Sequence, residues 1–371
     1  MAITRIGNPA IADVREPNFR NIIINGGMDL AQRGTSASGV GSTSGYFTVD
    51  RFQYAKGGTV NGVFTMSQDT DVPSGQGFAK SLKMDVTTAD ASIGANAQYN
   101  IRQRIEGQNL QYLKKGTSNA ESTTVSFWVK SNKTGTYIVS LVDTDNSRTI
   151  SKSYTINSAS TWEKKTITCD GDTTGTLDND NAVSLDVMFR LGVGSDFTSG
   201  TLATSWESTT NANVAVGQVN LADSTSNEWY ITGVQLEAGS VASDFEFLPV
   251  DVNLNRCLRY YEGGDANSNA VNIYGAPNRV CEVILGSTAR MKILGAQYLA
   301  VKRATPTVTL YGGSGLNTAN RISVYNDIAS TETVSSLSTT TANSLAFYIQ
   351  LSTTASSSTT YRFYYEADAE L

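Results

Sequence analysis

The 371-residue chain contains no histidine. That absence excludes Ser-His-Asp and Cys-His nucleophile activation and any His-ligated zinc. General acid–base chemistry would fall to carboxylates, lysine or tyrosine. Charged residues are scarce at 17%, and the balance is acidic, with 34 Asp and Glu against 28 Lys and Arg for a net charge of −6. A nucleic-acid binder carries a basic patch and a basic isoelectric point, so a pI of about 4.9 argues against phosphate-backbone binding. The three cysteines, Cys169, Cys257 and Cys281, are far apart and form no Cys-x-x-Cys pair. Neither a disulfide framework nor a thiolate metal site is indicated. Three buried, reduced thiols are expected instead. No run approaches the roughly 20 apolar residues of a membrane span. The first residues lack the apolar stretch of a secretory signal, so cytoplasmic synthesis without membrane insertion is expected. There is no P-loop, no Gly-x-Gly-x-x-Gly between a strand and a helix, and no fixed-period repeat.

What is abundant is Ser and Thr, nearly a quarter of the chain, together with 32 Gly. That composition suits short strands joined by polar turns and not helical bundles. The length suggests two or three domains.

Residues 1 to 20, with Pro9, Pro17 and alternating charges, read as a terminal arm that a partner must tie down. From residue 21 to 250 the chain reads as β. Val183, Leu185, Val187, Phe189 and Leu191 alternate with polar residues, predicting a strand with one buried face. Leu82, Met84 and Val86 repeat the pattern, as do Val125, Phe127 and Val129. Tyr137, Val139 and Leu141 follow after Lys133-Thr-Gly135, and the two runs predict a hairpin. Ile22-Ile-Ile24 and Trp229 to Leu236 are further strand candidates. Asp251 is placed to cap a helix, with Leu254, Cys257, Leu258 and Tyr261 on one face and Gly263-Gly264 ending it. That helix, residues 251–263, is the expected connector. Strands resume at Val280 to Leu285, Val308 to Tyr311, Leu345 to Leu351 and Tyr361 to Tyr365. Residues 264–371 have the size of one small sandwich.

Among possible chemistries, hydrolysis needs two carboxylates at a set separation. Glu237, Asp244 and Glu246 are candidates, but no spacing singles out a pair, and an enzyme is not expected. Binding is the better reading, because apolar sugar faces stack on flat rings. Trp206 sits in a polar stretch and is expected to be exposed, with a contact role. Trp128 lies opposite a buried strand face, so it either packs in a second core or contacts a ligand. Trp162 and Trp229 are expected in the core. Tyr46 completes the candidate ligand-binding set. Asp50 and Arg51 are expected to form a structural ion pair. Asp170, Asp172, Asp178 and Asp180 lie in a Gly/Thr/Asn-rich stretch that reads as a solvated loop or as a structural calcium loop.

Several stretches together resemble phage virion fibre proteins of marine and cyanobacterial tailed phages. They are Asn21-Ile-Ile-Ile-Asn25-Gly26-Gly-Met28, Gln32-Arg33-Gly34-Thr35, Tyr46 with Asp50-Arg51-Phe52, and Trp229 to Ala242. Arg256-Cys257-Leu-Arg259-Tyr260-Tyr261-Glu262 and the ending Phe363 to Leu371 complete the set. Where that family carries Trp, this chain has Phe52, read as core. Ser126 to Lys130 and Ser160 to Lys165 are similar to strands of carbohydrate-binding modules of the galactose-binding-like jelly-roll type. The resemblance implies an all-β protein with an arm, a jelly-roll sandwich, a short helix and a smaller C-terminal sandwich. It implies a non-enzymatic virion surface protein, as a tail fibre or receptor-binding protein that adheres to host glycans. The alternative is a capsid head fibre or decoration protein anchored by its arm. It also implies a homotrimer, in which Leu254, Leu258 and Tyr261 would meet near the threefold axis or pack on the chain's own sandwich.

Overall fold

A computed structural model describes residues 19–263, 292–312, 318–319, 321–326, 331–336, 339–351, 359–362 and 364–371. Arm residues 1–18, the strand expected at Val280 to Leu285, and Cys281 lie outside these.

Twelve strands make the larger part of the molecule. They are β1 (Ser36–Val40), β2 (Gln53–Gly57), β3 (Val63–Asp69), β4 (Ser81–Thr88), β5 (Gln98–Glu106), β6 (Thr123–Ser131), β7 (Gly135–Asp143), β8 (Arg148–Ile156), β9 (Glu163–Cys169), β10 (Val183–Val193), β11 (Glu207–Ser208) and β12 (Glu228–Ala238). They form two six-stranded sheets, β1-β3-β4-β12-β6-β9 and β11-β8-β7-β10-β5-β2. Their pairings are antiparallel. The sheets pack as a jelly-roll sandwich, each turning its alternating apolar residues inward. Phe127 of the first sheet meets Phe189 and Tyr154 of the second edge-on, with ring centroids 5.1 and 5.0 Å apart. Trp229 and Phe52 are fully buried, as expected, and so are Cys169 and Cys257.

The expected hairpin does not form. β6 pairs with β12 and β9, while β7 pairs with β8 and β10 in the other sheet. The short turn crosses the sandwich because both runs point their apolar faces at the same core from opposite sides. Asn132 holds the crossing to the start of β12, its Nδ2 donating to Ser226 O and its Oδ1 accepting from Glu228 N. Ile22, Ile23 and Ile24 are buried but are not a strand. Their segment follows a bulge in β12, where the register against β6 slips between Thr232 and Gln235. Ile22 N donates to Leu236 O and Val234 N to Gly26 O. Ile24 is bonded in both directions by the Gln103 amide.

The helix α1 (Val250–Leu258) is shorter than expected. Pro249 precedes its first residue, and Asp251 makes no capping bond. Tyr261 lies beyond it in β13 (Tyr261–Glu262). Leu258 and Tyr261 are buried in their own chain, and Leu254 packs on Ile24, Leu30 and Cys257.

The C-terminal strands are β14 (Lys292–Gln297), β15 (Thr307–Gly312), β16 (Thr318–Ala319), β17 (Arg321–Asn326), β18 (Thr331–Ser336), β19 (Thr339–Ala342), β20 (Ala346–Leu351), β21 (Thr359–Arg362) and β22 (Tyr364–Asp368). They form three small sheets, β13-β22-β15-β16, β14-β20-β19 and β18-β17-β21. The aromatic run expected as one strand is divided between β21 and β22, which belong to different sheets.

Stretches remote in sequence converge where the C-terminus meets the sandwich. The Arg51 guanidinium lies 3.4 Å from the centre of the Tyr260 ring, pairs with Glu370 and donates to Arg104 O at 2.6 Å. Arg33 lies 3.5 Å from the centre of the Tyr261 ring and pairs with Asp368 (3.1 Å) and Glu370 (3.3 Å). Asp50 instead accepts from Gln32 N (2.9 Å) and Nε2 (2.7 Å). The expected Asp50–Arg51 pair is therefore replaced by two separate partnerships. Glu262, fully buried, accepts from Lys302 Nζ at 2.8 Å and from the Tyr365 hydroxyl.

Candidate functional site

Strand alternation decides what the first sheet shows to solvent. Val125, Phe127 and Val129 of β6 point inward, so Ser126, Trp128 and Lys130 point outward. On β12 the outward residues are Glu228, Tyr230 and Thr232, and on β4 they include Lys83 and Asp85. Register places Tyr230 directly between Lys83 and Lys130. In the next outward row, Trp128 lies between Thr232 and Lys164. Trp162, just before β9, completes the face. Its ring centroid is 6.2 Å from that of Tyr230 at 66°.

These groups hold one another in place. Trp162 Nε1 donates to Asp71 Oδ1 at 2.9 Å, and Lys130 Nζ donates to Asp71 Oδ2. Lys130 Nζ is 4.1 Å from the Tyr230 ring centre, and Lys83 Nζ is 5.2 Å from it. Lys83 pairs with Glu228 at 3.0 Å, and the Tyr230 hydroxyl donates to Glu228 at 2.9 Å. Burial would raise Asp71, but the bonds from Lys130 and Trp162 overrule it and hold the carboxyl below its ordinary range. Burial, aided by Glu228, pushes the Tyr230 phenol up to about 12. Trp128 and Trp162 remain half-buried. The result is a rigid face carrying two indoles, beside ammonium and carboxylate groups. The second sheet's outer face is less open, since Phe197, Val214 and Ala215 pack over Ile138.

The expected ligand residues do not come together. Trp128 is on this face. Trp162, expected in the core, is on it too. It precedes the strand, so no alternation could orient it. Tyr230 was missed because it adjoins the fully buried Trp229 in a nearly continuous apolar run. Trp206 lies elsewhere and is half-buried, packed against the core edge. Its Nε1 donates to Asp170 O at 2.8 Å, and Lys115 Nζ sits 3.8 Å from its ring centre. Tyr46 belongs to the C-terminal junction, where its hydroxyl donates to Leu371 O at 3.3 Å.

In the acidic loop Asp172 is tied by protein cations. Asp172 accepts from Arg148 Nε at 2.8 Å and lies 3.1 Å from Lys115 Nζ. Among the described residues, no group of three or more Cys, Asp or Glu side chains is placed to hold a metal ion. The carboxylates considered for hydrolysis are engaged as well. Glu237 accepts from Ser243 N (2.9 Å) and Oγ (2.6 Å), and Glu246 from Phe19 N and Asn21 N at 2.9 Å each.

No protein-family profile matches this chain, and no curated protein matches it in sequence. Solved structures give limited likenesses. The enzymatically active domain of tailspike protein 4 of bacteriophage CBA120 aligns over 59% of this chain at 15% identity, with a TM-score of 0.31. The aligned part spans only 22% of that tailspike chain. TmCBM61, solved with β-1,4-galactotriose, aligns over 59% of this chain and 99% of its own at 11% identity, TM-score 0.28. A family 11 carbohydrate-binding module of a Clostridium thermocellum cellulase aligns over 56% of this chain and 97% of its own at 12% identity, TM-score 0.27.

Proposed function

We propose that this chain is a non-enzymatic glycan-binding protein of a phage virion surface, and that it binds sugars on the outer face of the first sheet. The observation that carries the reading is the pair of half-buried indoles, Trp128 and Trp162, on one sheet face beside Lys83, Lys130 and Asp71. A pyranose presents an apolar C–H face that stacks on indole, and a hydroxyl rim that bonds to charged side chains. A sheet already folded in that shape loses little conformational entropy on binding. Residues 1–20 would dock the chain to the particle, and a homotrimer would multiply weak single-site affinities.

The test is affinity electrophoresis in host-envelope polysaccharide. The double variant W128A/W162A should lose binding at least tenfold while its circular dichroism keeps the wild-type β signature. Retardation equal to wild type would overturn the reading. A reducing-end assay on the same polysaccharide should show no cleavage. Gold-tagged antibody on intact virions decides the location. Label at the tail supports a tail fibre or receptor-binding protein. Label over the head supports a capsid fibre or decoration protein, a reading favoured by the lack of any helical shaft among the described residues, whose α-helix spans nine.

A further inference from the structure

A cavity of about 720 Å³ opens between the chain root at residues 19–24, the end of β5 with the turn after it, and α1. That size lies within the range of small-molecule sites. Ile22 and Ile105 give it an apolar floor, and Asn109 and Asn255 bring amides to its wall. Tyr112 and Phe19 border it with 45% and 56% of their surface exposed. None of these residues belongs to the sheet face described above.

Arg256 gives the cavity its charge. Its Nη2 donates only to backbone carbonyls, Asn21 O at 3.2 Å and Ile22 O at 3.4 Å. Its Nη1 is buried without a hydrogen-bond partner. Glu246, which acts on it through space, is engaged by the Phe19 and Asn21 N–H groups. Arg259, on the same wall, is committed to Glu106 by bonds of 2.9 and 2.7 Å. Among the described residues Arg256 is thus a partly buried guanidinium in no ion pair, in a chain whose net charge is −6. Burial presses its pKa below the ordinary value, as an unanswered cation requires.

We propose that this cavity binds a sugar bearing a carboxylate, of the uronic or sialic acid class. The carboxylate would sit against the Arg256 guanidinium and neutralise its charge, and the ring would lie on Tyr112. The choice of a sugar over another carboxylate rests on the glycan-binding reading. The charge and shape of the site do not.

Calorimetry on the full chain tests this with a galacturonate trisaccharide, a sialyl trisaccharide, the carboxyl-reduced galacturonate trisaccharide and sodium acetate. At least one carboxylated trisaccharide should bind. If it is the galacturonate, the reduced form should bind at least tenfold more weakly. Tyr112→Ala, at an exposed position, should weaken binding several-fold, and Arg256→Gln at least tenfold, with Arg256→Lys recovering part. W128A/W162A should leave this binding unchanged. Failure of both carboxylated probes, equal binding of the reduced galacturonate sugar where galacturonate binds, or indifference to both Tyr112→Ala and Arg256→Gln would overturn the proposal. Acetate binding as tightly as the sugars would reduce the site to a simple anion site and overturn the sugar assignment. If W128A/W162A alone abolishes binding, this proposal falls and the sheet-face reading stands.

Discussion

Asp172 and Asp50 are both buried carboxylates, and their neighbours drive them in opposite directions. For Asp172, burial is outweighed by Arg148, the Thr174 N–H and Lys115, which hold its pKa down at about 2. For Asp50, burial outweighs Arg33 and the two Gln32 bonds, and the carboxyl is pushed up to about 6. An unfolded aspartate titrates near ~3.9. The stabilisation from Asp172 is therefore present above about pH 4 and is lost as pH falls toward 2. Asp50 has the reverse sign. Its contribution is full below about pH 4, where it folds in neutral, and declines as pH rises through 6. Carboxyl NMR should place the Asp50 midpoint near 6, and a midpoint below 4 would refute this environment. Asp172→Asn should remove part of the acid-side loss in a urea-stability profile. Neither shift was legible in the sequence, where Asp172 is one acid among several in a polar loop and Asp50 adjoins an arginine it does not pair with.

Strand β12 shows how one residue shapes an element. Gly233 sits in its bulge at φ +61°. A Cβ there would stand 2.5 Å from the Phe78 ring. Gly233→Ala should cost ~1–3 kcal/mol from left-handed strain and overpacking. That reads as a lower urea midpoint at unchanged slope, and an unchanged midpoint would refute both the strain and the contact with the ring. Alternation made β4, β6, β7 and β10 legible, because a half-buried strand imposes a period of two on its residues. It could not tell that β6 and β7 face each other across the core, since both arrangements bury the same side chains. Nor could it show that Ile22 to Ile24 would be absorbed beside a bulge. An apolar triplet satisfies burial in either form.

Contacts between stretches remote in sequence tie the C-terminal residues to the sandwich. Arg51 and Glu370 are 319 residues apart in sequence, and their side chains are only 1% and 5% exposed. Glu370→Ala would leave Arg51 with a backbone carbonyl and the Tyr260 ring but no carboxylate. Removing one partner of such a pair costs ~3–5 kcal/mol. Limited proteolysis should then cut the C-terminal strands sooner than in wild type, together with a fall in melting temperature. Unchanged protection would show that β22 is held by its strand pairings with β13 and β15 alone.

Composition and period determined the all-β class, the positions of the main strands and the exclusion of histidine chemistry. These depend on local rules that each residue satisfies with its near neighbours. The make-up of the first sheet's outer face depended on register between strands far apart in sequence. Tyr230 meets Lys83, Lys130 and Trp162 only because β12 lies between β4 and β6. The stretches around Arg33, Arg51, Tyr260 and Glu370 show the same limit. Their order along the chain was readable, but their meeting in space was not. Arg33, Arg51, Tyr260, Tyr261 and Glu370 form one junction because burying two guanidinium groups requires rings and carboxylates on several sides at once, and no contiguous stretch of chain can supply them.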